Sequence, residues 1–509
     1  MNFKTIKACL IVFTLFTYEH LALSREQHIM PAVSYNKEKK HHKKTSKRQT
    51  SIIVYMAADN DLRSFAARNI KQMAAIGSNE NIHIVVHLDI RIAGNKKITR
   101  RYYIEKNKIL HVNAYDPATQ RMDSGQPETL ISACQWAITD YPAHDYALIF
   151  WNHGTGALDP YHGRIISPTE LFTYNPTLNM LELDRSTSIL GDVDPAQHNH
   201  DAQDILWLLE QQDPESLAWQ EIDNDLQTNE RNLSKSNAEE CEDNSKGICW
   251  DDSAGNYLTN EKLDYALSAV RKKYLNNEKF AIIGFDACLM SMIEVCDLLQ
   301  QHAHIMVGSQ EVELGTGWNY QKVLEPFLYR SLNKRDFARH IAHVYEETYN
   351  KITNDYTQSA IFLDDLSFLQ ENINDVATLL IEALQLQKNK SVNNAIRASK
   401  NKLLCTHFDE PSYIDLHHLY VNLEYNLKHF SFTNAKRGQK ITNELRTLLD
   451  HGRAIIRKLV LANVCGKNLN QARGISIYFP ERRIHSSYAH IPFAKQNKWS
   501  QLIHMYVAG

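Results

Sequence analysis

The sequence predicts an α/β protein with a mostly parallel central sheet. Four short, continuously apolar runs lie between Ser51 and Ala287, as expected for strands buried on both faces. Helical patterns or long connections separate these runs, which indicates βαβ units because parallel strands need a crossover. Two of the runs end directly at His, Gly, Asp or Cys residues. Chemistry in such sheets gathers beyond the carboxyl ends of the strands.

Local sequence patterns also predict the elements that join the four strands. The predicted elements are, in chain order, a strand at SIIVYMA (51–57), a helix to about Ile76 that takes its N-cap from Asp59-Asn60-Asp61, a strand at IHIVVHLDI (82–90), a hairpin of RRYYIE (100–105) and KILHV (108–112), a helix from Gln126 to Tyr141, a strand at YALIFW (146–151), a helix from about Asn260 to Lys273 and a strand at KFAIIGFDA (279–287). A further helix is expected from Cys288 to Gln300.

The chain becomes richer in helix after Gly317. Apolar residues at helical spacing predict helices at 335–352 and 366–386, and further strands are expected at 358–363 and 474–480. We therefore expect a first domain at 51–325 and a smaller helix-rich region at 326–509 that completes the core or packs on it.

Two polar stretches interrupt this pattern. Residues 37–48 carry seven Lys or Arg against one Glu, so 25–50 is expected to be a disordered basic linker or a propeptide. Residues 191–246 carry 15 Asp or Glu and three Lys or Arg. We interpret 157–246 as an acidic insertion in the first domain.

The N-terminus resembles an export signal. Lys4 and Lys7 precede an apolar run from Ala8 to Phe16, and the small-residue pattern Ala22-Leu23-Ser24 follows. Residues 1–24 are therefore predicted to be a signal peptide, and the protein is expected to be secreted or periplasmic. No run is long enough for a membrane span. The net charge of −3 gives no support for nucleic-acid binding.

The chemistry lies at two strand ends. The third strand runs into Asn152-His153-Gly154, and the fourth runs into Asp286-Ala287-Cys288. If these parallel strands are neighbours, an imidazole and a thiol meet at one edge of the sheet. An imidazole can take the thiol proton and return it to a leaving amine, and a helix N-terminus at Cys288 would favour the thiolate. The amides of Gly154 and Cys288 could hold an oxyanion.

Six sequence blocks together resemble the clostripain family of cysteine peptidases, which belongs to the caspase-like group. The blocks are YMAADNDL (55–62), HLDI (87–90), WNHGTG (151–156), GFDACLM (284–290), GSQEVELGTGWNY (308–320) and GISIYFP (474–480). The resemblance implies a caspase-like α/β/α sandwich. It also implies a Cys/His dyad in which His153 matches the family's catalytic histidine and Cys288 its nucleophile.

The same resemblance implies specificity. Asp286 matches the acid at the base of the primary specificity pocket, which implies cleavage after Arg or Lys, although Asp286 could also cap the following helix. Glu311 and Glu313 lie in the matching pocket-wall loop, and the sequence does not decide which faces the substrate. Protein or peptide substrates are the implied partners, and the protein is expected to be a monomer.

The resemblance further implies self-cleavage between His153 and Cys288. The candidate scissile residues are Lys246, which we favour, and Arg231, Lys235 and Arg185. No cofactor or metal is expected to be required. The family includes calcium-stimulated members, so a structural or activating Ca²⁺ ion stays open.

Other functions fit parts of the sequence. A catalytically silent caspase-like module could bind anionic surfaces through its basic tail, and an enzyme with the same dyad could transfer the acyl group to an amine instead of water. A metal hydrolase is a third alternative, but the spacing of His198, His200, Cys241 and Cys249 matches no standard zinc pattern.

Overall fold

The computed structural model describes residues 34–37, 46–92, 96–159, 172–175, 180–183 and 248–508. Its strands are β1 (Ser34–Lys37), β2 (Arg48–Ala58), β3 (Ile82–Ile92), β4 (Lys96–Glu105), β5 (Lys108–His111), β6 (Ala143–Trp151), β7 (Phe172–Asn175), β8 (Met180–Leu183), β9 (Ile248–Asp251), β10 (Asn256–Leu258), β11 (Phe280–Asp286), β12 (Ala303–Gly308), β13 (Thr357–Phe362), β14 (Tyr413–Asp415), β15 (Val460–Cys465) and β16 (Ser476–Tyr478).

The helices alternate with these strands in the first half and dominate the second half. They are α1 (Arg63–Ile76), α2 (Pro127–Asp140), α3 (Asn260–Tyr274), α4 (Ile293–Leu299), α5 (Tyr320–Leu324), α6 (Lys334–Tyr349), α7 (Leu366–Leu386), α8 (Ser391–Ser399), α9 (Leu416–Asn426), α10 (Ala435–Leu459), α11 (Pro492–Gln496) and α12 (Trp499–Ala508).

Ten strands form one central sheet in the order β1-β5-β4-β3-β2-β6-β11-β12-β13-β15. The five strands in the middle, from β3 to β12, are mutually parallel. The hairpin strands β4 and β5 on one side and β13 and β15 on the other pair antiparallel. Since β13 and β15 come from the C-terminal region, that region completes the sheet.

Helices cover both faces of the sheet, which confirms the predicted α/β/α sandwich. Alternate residues of β2 show why, because Ile52 and Val54 enter one buried cluster whereas Ile53 and Tyr55 enter another. The first cluster also contains apolar residues of α1, α5 and α6. The second contains those of α2, α3, α4 and the helices from α7 to α12. Strands buried on both faces carry the continuous apolar runs seen in the sequence.

The predicted helix from Cys288 to Gln300 is wrong at its beginning. Helix α4 starts at Ile293, and Met292 precedes it as the N-cap residue. Leu289 has a φ of 63°, a left-handed conformation that a helix cannot contain. The Ser291 amide donates to the Ser309 carbonyl at 2.8 Å. A contact with the neighbouring strand therefore replaces the first helical turns.

Three other expectations need adjustment. Helix α1 has Leu62 at its N-cap without a side-chain bond, so Asp59 and Asp61 do not cap it. The strand expected at 474–480 pairs with β14 outside the central sheet. The segment 25–50 is not wholly a linker, because β1 pairs with β5 and β2 begins at Arg48. Ser34–Lys37 therefore belong to the sheet, at the edge formed by β5.

The predicted signal peptide and most of the acidic insertion lie outside the described residues. Within the insertion, the structure describes β7 and β8, which form an antiparallel pair. Over the ranges that the structure describes, no helix combines the length and apolarity that a membrane crossing requires.

Candidate active site

The ends of β6 and β11 bring His153 and Cys288 together. The two strands are parallel neighbours, and Asp286 is in register with Trp151. The Asn152 amide donates to the Asp286 carbonyl at 3.3 Å, which extends the pairing past the last strand residue. His153 and Cys288 both line one pocket of about 330 Å³. The spatial expectation from the sequence is therefore met at this edge of the sheet.

Cys288 is buried beside the loop that contains Glu313. Its Sγ accepts a hydrogen bond from the Glu313 amide at 3.4 Å and lies 3.8 Å from the Glu313 carbonyl oxygen. Burial raises the pKa of the Cys288 thiol, and the single amide bond opposes that rise only partly. Because α4 begins five residues later, its N-terminus does not stabilise the thiolate, contrary to the prediction. A base must therefore take the proton.

His153 has a carboxylate partner that the sequence did not identify. Its Nε2 atom lies 2.8 Å from Oδ1 of Asp61, in the loop that follows β2. A carboxylate at one ring nitrogen fixes the orientation of the imidazole and assigns proton transfer to the other nitrogen. The signal was present in the chain, since β2 is the parallel neighbour of β6 and their following loops meet. The local sequence pattern predicts a capping role for Asp61 instead.

The backbone at Gly154 is packed against Cys288. A Cβ atom at residue 154 would lie 2.3 Å from the Cys288 carbonyl oxygen and 3.1 Å from its amide nitrogen, so only glycine fits. Within the described residues, the Gly154 and Cys288 amides donate to no other backbone carbonyl.

Asp286 is buried and lines the same pocket. Its Oδ1 accepts a hydrogen bond from the Trp318 amide at 3.0 Å, and its Oδ2 accepts one from the Tyr320 hydroxyl at 2.8 Å. Burial raises the pKa of Asp286 to about 7, although these hydrogen bonds and one shared with Glu313 lower it. Gly317, at φ 60°, comes so close that its Cβ would lie 2.6 Å from Oδ1. The predicted capping role is wrong, because no helix starts there.

The pocket wall resolves the choice between the two glutamates. Glu313 lines the pocket, and its Oε1 accepts a hydrogen bond from Gln358 at 3.0 Å. Burial and the adjacent Asp286 raise the pKa of Glu313 well above its usual range. The Glu311 carboxylate instead accepts hydrogen bonds from the amides of Val312 and Asp409. Glu313 therefore joins Asp286 in a buried carboxyl pair.

The predicted processing residues Arg185, Arg231, Lys235 and Lys246 lie outside the described residues. Asp59 and Asp251, two acids near the ends of β2 and β9, both contact Lys97. Among the residues that can be described, no group of three His, Cys, Asp or Glu side chains is arranged to hold a metal ion.

A histidine and a cysteine at adjacent carboxyl ends of a parallel sheet, inside an α/β/α sandwich, define the class of caspase-like cysteine peptidases. The sequence model of the clostripain family matches residues 54–174 and 234–505, more than half of the chain. The chain belongs to the clostripain family. It is therefore a cysteine peptidase, and its substrates are peptides or proteins.

Solved structures agree with this fold. A secreted C11 cysteine protease from Bacteroides thetaiotaomicron in complex with an irreversible peptide inhibitor superposes with a TM-score of 0.53 at 18% identity, over 89% of this chain and 99% of that one. The secreted C11 cysteine protease iotapain from the same organism gives a TM-score of 0.50 at 12% identity, over 88% and 99% of the two chains. A search of curated proteins by sequence finds no match.

Proposed function

We propose that this peptidase is an endopeptidase that cleaves on the carboxyl side of Arg or Lys. Cys288 is the nucleophile, and His153 is the acid and base. The amides of Gly154 and Cys288 form the oxyanion hole, and Asp286 binds the P1 cation. The observation that carries the specificity is the carboxyl pair of Asp286 and Glu313, which is buried in the pocket beside Cys288.

The reaction needs no group from outside the chain except water. The Cys288 thiol gives its proton to His153 as sulfur attacks the scissile carbonyl carbon, and the oxyanion accepts hydrogen bonds from the two amides. His153 then protonates the leaving amine, which departs and leaves a thioester. Water hydrolyses the thioester with His153 as base. Because Asp61 holds Nε2, the proton moves through Nδ1.

The P1 cation replaces the proton that the buried pair holds. Near neutral pH the pKa of Asp286, raised to about 7 by burial, leaves that carboxyl partly protonated. An arginine or lysine side chain supplies the positive charge that makes two buried carboxylates favourable. An apolar or acidic P1 side chain would leave the pair without a partner.

The test compares purified full-length protein with Cys288→Ala and His153→Ala variants on matched amide substrates with Arg, Lys, citrulline or Leu at P1. We expect turnover of the two basic substrates only, and its loss in both variants. Cys465→Ala is the matched control, because Cys465 is a partly exposed thiol away from the pocket. Turnover that survives in Cys288→Ala, or a preference for Leu, would overturn the proposal. Addition of a primary amine separates hydrolysis from acyl transfer by product mass.

We also propose that the enzyme is activated by self-cleavage within the insertion, at Lys246 or alternatively at Arg231, Lys235 or Arg185. Lys246 stands two residues before β9, so a cut there would leave the described core intact. Cys288→Ala protein should remain full length where the native chain splits, and Lys246→Ala should move or prevent the cut. Identical fragments from the native and Cys288→Ala chains would contradict self-processing.

Export, cofactors and oligomeric state complete the proposal. Removal of residues 1–24 is checked by N-terminal sequencing of protein recovered outside the cytoplasm, which should begin at Arg25. The thiol mechanism requires no cofactor, so EGTA should leave turnover intact unless a supporting Ca²⁺ ion is bound. Light scattering after gel filtration should give the mass of a monomer.

A further inference from the structure

A buried lysine lies among three buried carboxylates on the histidine side of the pocket. Lys97 Nζ contacts Asp89 Oδ2 at 2.9 Å and Asp59 Oδ2 at 3.8 Å, and it hydrogen bonds to Asp251. The three aspartate side chains are 0% exposed, and that of Lys97 is 13% exposed. We call Lys97, Asp59, Asp89 and Asp251 the Lys97 cluster. Its members come from the loop after β2, from β3, from β4 and from β9.

One arm of the cluster leads to His153 through the loop after β2. Asp59 is followed by Asn60, whose side-chain amide donates to the carbonyls of Ala57 and Trp250, both at 3.0 Å. The next residue is Asp61, which holds His153. Displacement of Asp59 would therefore shift the carboxylate that orients the imidazole.

The second arm leads to His153 through β9. Trp250, next to Asp251, donates its amide to Asn152 Oδ1 at 2.9 Å and accepts a hydrogen bond from Asn152 Nδ2 at 3.3 Å. The Asp252 amide donates to the Asp59 carbonyl at 2.8 Å, so the two arms are also joined to each other. Asn152 is the residue before His153. Cys249, in the same segment, is held at a φ of 63°.

We propose that Lys97 is a positioning residue for His153, which acts by fixing the segment Ile248–Asp252 against Asn152 and the loop that carries Asp61. The proposal rests on the proposed role of His153.

The physical argument is charge balance in a buried space. Three carboxylates around one point repel one another unless a cation lies between them, and water cannot replace that cation at full burial. Arg91 contributes only at the rim, where it contacts Asp59 at 3.4 Å and Asp252 at 3.0 Å. Without Lys97, Asp251 and Asp59 would have to separate or take up protons, and both arms would move.

The experiment compares Lys97→Met with Lys400→Met in the full-length enzyme. Lys400 is the control because it is also a buried lysine. It donates to the Phe479 and Pro480 carbonyls and pairs with Glu481, and none of these residues lines the pocket. Both variants should lower Tm. Only Lys97→Met should lower kcat, by about tenfold or more, with KM for an arginyl amide within about twofold of native. If kcat falls equally in both, or in neither, the proposal is wrong.

Asp251→Asn keeps the test decisive if Lys97→Met does not fold. The asparagine keeps one oxygen that can accept a hydrogen bond from the Ala254 amide, but its NH2 group replaces the oxygen that accepts from the Ser124 amide and contacts Lys97, and the charge that attracts Lys97 is lost. We expect a kcat loss of about threefold to tenfold at unchanged KM. A native kcat in folded Asp251→Asn would overturn the inference. Cys288→Ala in the same assay tests the proposed function separately, since its outcome does not depend on Lys97.

Discussion

Two groups of buried carboxylates lie on either side of the candidate active site, and they differ in what neutralises them. In the Lys97 cluster, a lysine contacts all three acids and Arg91 adds a second cation. At the pocket, Asp286 and Glu313 have only neutral donors, namely Tyr320, the Trp318 amide and Gln358. Among the described residues, neither pocket acid has a cationic partner.

We distinguish structural charge, which a cation of the protein neutralises, from binding charge, which has no such partner among the described residues. Burial raises the pKa of both Asp89 and Asp286 to about 7, but the Lys97 charge opposes the rise at Asp89, whereas only hydrogen bonds oppose it at Asp286. The Lys97 cluster is complete within the protein. Under the proposed function, the pocket pair gains its counter-charge when the basic P1 side chain of a substrate enters.

The largest effect should come from Asp286→Asn. The substitution removes the charge that the P1 cation contacts, so kcat/KM for an arginyl amide should fall by about 10²-fold to 10³-fold, as expected for loss of one partner of a buried charge pair. The citrullyl analogue, which has the same shape without the charge, should change much less. Asp297→Asn is the control, because Asp297 is a buried acid on α4 that bonds to Gln370 and Gln300. An unchanged arginyl preference would remove Asp286 from the P1 site.

Asp61→Asn should have a smaller effect with a different pattern. The amide can still accept a hydrogen bond from His153 but no longer stabilises the imidazolium, so kcat should fall by about tenfold to 100-fold. Because Asp61 belongs to the histidine side, the loss should be equal for arginyl and lysyl substrates. Steady-state kinetics on both substrates measure this, and a loss restricted to one P1 residue would contradict the separation of the two groups.

The parts of the molecule that were predictable from sequence are those set by local pattern. Strands β2, β3, β6 and β11 are continuous apolar runs, and their parallel pairing places His153 and Cys288 at one edge. The helix expected at Cys288 failed because Leu289 and Ser291 take their conformation from contacts with the loops of Glu311 and Ser309. The helix propensity of the segment does not reveal these contacts, because they are made with residues outside it.

The electrostatic parts of the site depended on strand order. Lys97 and Asp251 are separated by 154 positions, and their contact exists only because β9 returns to the sheet edge after the insertion. Asp61 was visible but ambiguous, since an acid after a strand fits a helix cap as well as a histidine partner. The parallel pairing of β2 with β6, which brings the loop of Asp61 next to His153, decides between these two roles.

The pH dependence of specificity gives a sharper test of the pocket pair. Asp286, with its pKa raised to about 7 by burial, is protonated below that pH and binds a cation poorly. The ratio of kcat/KM for the arginyl substrate to that for the citrullyl substrate should rise about tenfold per pH unit from about pH 5 to 7, then level off. Taking the ratio cancels the pH dependence of the chemical step, which both substrates share. In Asp286→Asn the ratio should be flat, and a slope that persists there would assign the titration to another group.

The smallest effect should come from the neutral donors that now stand in for a cation. Tyr320→Phe removes the hydroxyl that donates to Asp286 Oδ2 and leaves the ring in the core. Loss of one hydrogen bond to a buried carboxylate costs about 1.5–3 kcal/mol of interaction with the ionised form, which raises the pKa of Asp286 further. At about pH 7 a larger fraction of Asp286 is then protonated, so KM for the arginyl substrate should rise by about sevenfold or more, and high pH should restore it. Tyr349→Phe is the matched control, because that hydroxyl bonds to the Gly317 carbonyl and Thr316 instead of Asp286. If Tyr320→Phe lowers kcat at every pH without changing KM, the hydroxyl serves the reaction itself, and the division between binding charge and structural charge would have to be redrawn.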